Sequence, residues 1–243
     1  MHLVVDIGNT RTKAAIFSGR EWQGEYVFEE NIASNIALLL SKQPLVKRSI
    51  LSSVAKDSTE TERLLAAKTQ LIVFDHRSAL PIKNLYKSPE TLGKDRLAAA
   101  VGAWSQFKGK SVLVIDAGTA IKIDLVNDQG EFMGGSISPG IEMRFKALNT
   151  FTGKLPLVRA DKNYKSLTGK NTIESILNGV QNGALYEVQG FVDAYSKQYP
   201  GINIVVTGGD ASFFELGLKN HIFAIPELVL IGLNEILLFN AKP

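Results

Sequence analysis

Cysteine is absent from this sequence. That absence excludes disulfide scaffolds, thiolate nucleophiles, Cys-ligated zinc and iron–sulfur clusters together. Histidine is nearly as scarce. His2, His76 and His221 are scattered, which argues against a His-rich metal site or a Ser-His-Asp triad. Chemistry in this chain therefore rests on Asp, Glu, Lys, Arg, Thr and backbone amides. No apolar run approaches the roughly 20 residues that a membrane-spanning helix needs. Asp6 interrupts the first apolar stretch before a signal-peptide core can form. The expected setting is cytoplasmic, with no membrane partner. A large charge excess is missing too: 27 Lys+Arg against 24 Asp+Glu leave a formal +3. That is too little to hold nucleic acid by bulk electrostatics, although a local basic patch stays compatible with it. With 45% hydrophobic and 21% charged residues, the chain has a globular composition. Its 243 residues allow one large domain or two small ones.

What is present is a pattern met twice. Leu3 to Val5 reads as a strand, Asp6-Ile7-Gly8-Asn9-Thr10 as a turn, and Lys13 to Phe17 as a second strand. A short strand near Glu25–Phe28 follows. A helix over 31–40 then carries Ile32, Ile36, Leu39 and Leu40 on one face. Strands at 49–54 and 71–74 flank a helix over 59–67, with Asp57 or Ser58 as candidate cap. A loop with Pro81 and Pro89 leads into a helix from Gly93 to Phe107. At Ser111 the organisation restarts: an apolar strand, the turn Asp116-Ala117-Gly118-Thr119-Ala120, and a second strand. A third strand spans 132–137, and Pro139-Gly140 precedes a helix around 143–148. One long helical stretch covers 172–198. A strand at 204–206 ends in Thr207-Gly208-Gly209-Asp210, and a strand near Phe223 and a helix over 229–239 close the chain. The expectation is an α/β protein in two like-folded halves, residues 1–108 and 109–243, with no long linker.

Glycine lets a turn take positive φ and approach a ligand closely, and successive amides in such a turn form an anion-binding concavity. In the first turn Asn9, Thr10 and Thr12 add neutral donors, and Lys13 adds a point charge suited to phosphate. Asp6 would repel phosphate unless it faces hydrated Mg²⁺, which prefers carboxylate, water and phosphate oxygens. One such turn serves equally well as an ordinary hairpin turn. The second copy, Asp116 to Ala120, shifts the balance. Two acidic hairpins facing each other across a cleft would hold a polyphosphate from both sides, with Gly208-Gly209 as a third glycine turn after a strand.

These hairpins resemble those of the acetate and sugar kinase, actin and heat-shock ATPase superfamily, with its two ribonuclease-H-like halves and a cleft between them. More narrowly, the chain resembles the type III pantothenate kinases. The matching stretches are DIGNTRTK (6–13), YKSPETLGKDR (86–96), DAGTA (116–120), GGSISPG (134–140), VVTGGDA (205–211) and PELVLIGL (226–233). They run in the expected order over nearly the whole chain. The resemblance implies ATP-dependent phosphorylation of pantothenate, with Mg²⁺ and a monovalent cation (K⁺ or NH₄⁺), in a cytoplasmic homodimer.

It also implies site residues. Asp6, Ile7, Gly8, Asn9, Thr10, Arg11, Thr12 and Lys13, with Thr119, would contact ATP, and Asp6 would hold Mg²⁺ through water. Tyr86, Gly93, Lys94, Asp95, Arg96 and Thr172 would contact pantothenate, and Gly134, Gly135 and Pro139-Gly140 match a loop near the substrate. Asp95 matches the catalytic base. Read by its residue type alone, it serves as well as a first-turn acid complementing the helix dipole. Likewise Arg96 serves as a salt-bridge partner, Tyr86 as a loop aromatic, and Thr172 as a helix cap. Asp116 matches the monovalent-cation ligand, but Lys122 stands where the pattern leads one to expect threonine. Three other readings remain: a non-catalytic nucleotide-binding regulator, a kinase of the same superfamily with another small hydroxyl substrate, and a structural α/β domain that binds no nucleotide.

Overall fold

The computed structural model describes residues 1–8, 11–54 and 58–241. The chain divides into two units. The first comprises Met1–Lys108, Gly130–Phe132 and the stretch from Glu227 onward; the second comprises Gly109–Gln129 and Met133–Pro226.

In the first unit β1 (His2–Ile7), β2 (Thr12–Ser18), β3 (Glu21–Phe28), β4 (Arg48–Ser53) and β5 (Gln70–Val73) form one sheet in the order β3-β2-β1-β4-β5. β1 lies at its centre, which is why Leu3, Val4 and Val5 are all buried and the strand reads as a continuous apolar run. β1 pairs antiparallel with β2, setting Asp6 opposite Lys13, and parallel with β4, setting Asp6 beside Ser52. Helices α1 (Ile32–Lys42) and α2 (Thr59–Lys68) contribute Ile36, Leu39 and Leu65 to a core with Leu3, Val5, Ile7, Ala14, Ile16 and Leu51. Ser58 stands at the start of α2 without a side-chain capping bond, and Asp57 lies outside the described residues. A two-residue strand, β6 (Lys83–Asn84), pairs in parallel with Glu131–Phe132. A 3₁₀ turn at Pro89–Thr91 then leads into α3 (Lys94–Gln106).

In the second unit β7 (Val112–Ala117), β8 (Ala120–Val126), β9 (Glu131–Pro139, in this unit from Met133), β10 (Asn203–Thr207) and β11 (Phe223–Ala224) lie in the order β9-β8-β7-β10-β11. That order repeats the first sheet strand for strand. An antiparallel hairpin opens each unit, and β10 and β11 join in parallel on the other side, as β4 and β5 do. α4 (Ile141–Phe151), α5 (Thr172–Leu177), α6 (Gly183–Gln198) and α7 (Ala211–Gly217) supply Phe145, Ile176, Ala184, Val188, Val192 and Phe214 to a core with Leu113, Ile115 and Val206.

Three details depart from the sequence expectation. The helical stretch from Thr172 is broken by a π turn at Asn178–Asn182. α7 follows the Gly208-Gly209 turn where no helix is legible, because seven residues complete too few turns to show a period. The last helix, α8 (Leu228–Asn240), packs in the first unit, against α3, β1, β2 and β4, instead of closing the second half. No helix among the described residues is long and apolar enough to cross a membrane.

Candidate active site

Asp6 sits half-buried near the end of β1, where the hairpin turns. The Gly8 N–H donates to the Arg11 carbonyl at 3.2 Å and closes the turn. Asn9 and Thr10 lie outside the described residues. Ile7 and Thr12 are buried, Thr12 at 1% exposure. Arg11 is exposed, and Lys13 pairs with Glu25 at 3.4 Å.

The start of α3 is tied to the same end of this sheet. Lys94 Nζ donates to the Ser53 carbonyl at 3.1 Å, at the end of the strand beside β1. Asp95 follows in the first turn, and its Oδ1 accepts the Arg96 N–H at 2.9 Å. Gly93 precedes the helix because a Cβ there would stand 2.6 Å from Asp95 Oδ1. Arg96 is 4% exposed, and its guanidinium carbon lies 5.4 Å from the centroid of the Tyr86 ring, a cation–π distance. Tyr86 in turn leans on Phe132, centroids 6.2 Å apart. The first unit thus sets Arg96 against Tyr86 and ties Lys94 to the end of the strand beside β1. It also places the buried Ser52 hydroxyl beside Asp6, with no hydrogen-bond partner among the described residues. The sequence gives no signal for Ser52, since a serine in a strand looks like filler.

In the second unit three glycine turns converge on Asp116 to Thr119. The Gly118 N–H donates to the Ala120 carbonyl (3.1 Å), the Gly140 N–H to the Thr119 carbonyl (3.1 Å), and the Asp210 N–H to the Ala117 carbonyl (2.9 Å). A Cβ on Gly140 would collide with the carbonyl oxygens of Gly118 and Thr119. One on Gly208, whose φ is +94°, would collide with Ala117 and stand 2.7 Å from Asp116 Oδ1. Thr119 is exposed at the centre of this cluster. Arg144, in the first turn of α4, braces the wall by donating to the Pro139 carbonyl at 2.8 Å and to Glu187 Oε2 at 2.6 Å. Burial, and then the charge of Glu142, pushes the Asp210 carboxyl above its ordinary range. Gly134 and Gly135 lie inside β9, where Gly135 lets the strand approach Ile123 closely. Thr172 is the exposed first residue of α5, and Asn171 caps that helix by accepting the Glu174 N–H at 3.0 Å.

The family description "Type III pantothenate kinase" matches residues 2–194. The chain belongs to the type III pantothenate kinase family. Relatives bearing that name include one from Christiangramia forsetii, 43% identical over 241 residues and covering 99% of each chain. Another, from Cytophaga hutchinsonii, is 43% identical over 240 residues, covering 99% of this chain and all of that one. Among solved structures, the ROK hexokinase of Thermus thermophilus shares the fold at a TM-score of 0.55 and 15% identity, covering 99% of both chains. The activator of 2-hydroxyisocaproyl-CoA dehydratase from Clostridium difficile, solved with bound ADPNP, does so at 0.55 and 14%, covering 98% of this chain and 93% of that one.

Membership of a kinase family implies a divalent metal, the sequence resemblance adds a monovalent cation, and the residues present suit the two differently. Among the described residues no three acidic or histidine side chains cluster to cage a metal. Magnesium does not need such a cage: one carboxylate, water and substrate phosphates suffice, and the half-buried Asp6 fits that donor set. The monovalent cation fits poorly. Asp116 Oδ2 already accepts from Lys122 Nζ at 2.7 Å.

Proposed function

We propose that this chain transfers the γ-phosphoryl group of ATP to the primary hydroxyl of pantothenate, the first step of coenzyme A synthesis. The observation that carries this reading is the full-length likeness to the Christiangramia forsetii enzyme. In the reaction the hydroxyl oxygen forms the new bond to phosphorus, the β–γ bridging bond breaks, and ADP leaves. A carboxylate is too weak a base to strip an alcohol before attack. We therefore assign Asp95 to orient the hydroxyl and to take its proton late, as charge moves to the leaving group. The fixed start of α3, with Lys94 bonded to Ser53 and Gly93 clear of the carboxylate, supports a positioned acid at that place.

Tyr86 and Arg96 are assigned to the pantothenate carboxylate, since a guanidinium suits a planar oxyanion, and Thr172 to the same substrate. The hairpin from Ile7 to Lys13 and Thr119 are assigned to the nucleotide, with Gly208-Gly209 on its adenosine side. Asp6 would hold Mg²⁺ through water, and that ion would supply neutralisation of phosphate charge. A cytoplasmic homodimer is part of the proposal. Phe151, Leu157, Leu167, Ile173 and Tyr186 of the second unit are exposed apolar side chains that a partner subunit would cover.

The test is ADP release with pantothenate against a panel of hydroxy acids and sugars. Turnover confined to pantothenate supports the assignment. Preference for another acceptor makes the chain a different small-molecule kinase, and ATP binding without turnover makes it a regulatory nucleotide binder.

A further inference from the structure

The β7–β8 register sets Lys122 directly opposite Asp116, as β1–β2 sets Lys13 opposite Asp6. Directly opposed residues of an antiparallel pair project from the same face, so each hairpin offers its acid a lysine. The two lysines are used differently. Lys13 turns to Glu25, at 3.4 Å with its side chain 37% exposed. Lys122 reaches Asp116 Oδ2 at 2.7 Å, the two side chains only 18% and 14% exposed. The ion pair at Asp116 is therefore not a by-product of hairpin geometry.

A short, charge-assisted bond in so shielded a place is screened little by solvent or salt. Gly208 lies beside the other carboxylate oxygen, where an added Cβ would stand 2.7 Å from Oδ1. A second cation at this carboxylate would meet the lysine ammonium at close range and be repelled by it. The tethered ammonium also needs no capture from solution, because its local concentration is fixed by the strand.

We infer that the Lys122 ammonium is the built-in counter-cation of Asp116, so that phosphoryl transfer by this chain needs no potassium or ammonium ion. The inference rests on the kinase reading above and concerns the charge beside the nucleotide turn. Lys122 acts through Asp116 and is a positioning residue.

The experiment measures pantothenate-dependent ADP formation in KCl, NaCl and choline chloride at matched ionic strength. The expected rates agree within about twofold, and a tenfold or larger loss without K⁺ overturns the inference. Lys122→Met, which keeps an unbranched side chain and removes charge, is expected to lose about tenfold or more in kcat and to regain part of it in K⁺ or NH₄⁺ but not in choline. Lys122→Arg is expected to stay indifferent to the cation. A methionine variant as active and as indifferent as the parent overturns the inference. Melting temperatures of the unmodified chain in the same salts give a readout free of turnover. Equal values support Lys122 as the counter-cation, and stabilisation specific to K⁺ overturns it. A chain that phosphorylates no pantothenate in any salt defeats the kinase reading instead, and the melting comparison then still decides the cation question.

Discussion

Asp95 occupies the first turn of a helix, where acids are common for reasons unrelated to catalysis. The distinction is kinetic. Asp95→Asn is expected to lower kcat by roughly 10²–10⁴-fold while leaving the KM for ATP nearly unchanged, and steady-state kinetics with both substrates checks it. The glycines around Asp116 make a second expectation. Gly140→Ala must push apart the carbonyls of Gly118 and Thr119. It should destabilise the chain by about 1–3 kcal/mol, the usual cost of overpacking, read by denaturant unfolding. Asp210 gives a pH dependence. Its carboxyl is raised in the folded chain, so its favourable contribution is complete below the ordinary carboxylate range. That contribution is lost as pH climbs through the raised value, and at neutral pH the buried charge is a cost. Asp210→Asn is therefore expected to raise the melting temperature at pH 7 and to lose that advantage near pH 4, as calorimetry across the range would show. At this scale the two Asp-x-Gly turns were legible: they announce acids and close backbone approach. Ser52 was not, nor was the Lys122–Asp116 bond, because both depend on which strand lies alongside.

Among elements, the contact between α3 and α8 shows most clearly how glycine sets geometry. A Cβ on Gly102 would strike the Leu228 carbonyl, and one on Gly232 the Ala98 carbonyl. The two helices therefore meet backbone to backbone. Gly232→Ala should separate them and destabilise the first unit by about 1–3 kcal/mol, seen as a lowered melting temperature with the secondary structure unchanged by circular dichroism. Whereas α3 is buried on every side from Arg96 to Ala103, the hairpins, α1 and α2 follow from periodicity and turn residues, because each buries a regular face. The two-residue strand β6 does not, since its only reason to be a strand is the β9 backbone beside it. The π turn inside the helical stretch from Thr172 is hidden for a related reason: one extra residue in a turn leaves the apolar pattern readable as plain helix.

For the whole molecule, the repeated strand order β3-β2-β1-β4-β5 and β9-β8-β7-β10-β11 makes the duplication visible where the two sequences barely match. The terminal helix breaks the symmetry. Leu228, Leu230, Leu233, Ile236 and Leu237 are all buried, with α8 lying in the first unit. Truncation after Pro226 is expected to abolish cooperative unfolding of that unit, detectable as early proteolysis of residues 1–108. An apolar tail announces that it will be covered and says nothing of what covers it.

The sequence by itself determined the alternation of strands and helices, the two acidic glycine turns and the family, because these are written in local spacing and in ordered motifs. Tertiary structure alone decided that α8 returns to the first unit. It also decided that Tyr86 lies under Arg96, and that a lysine six residues from Asp116 spends its charge there while Lys13 does not. Those outcomes turn on through-space pairing and burial, and residues distant in sequence carry no local mark of being neighbours.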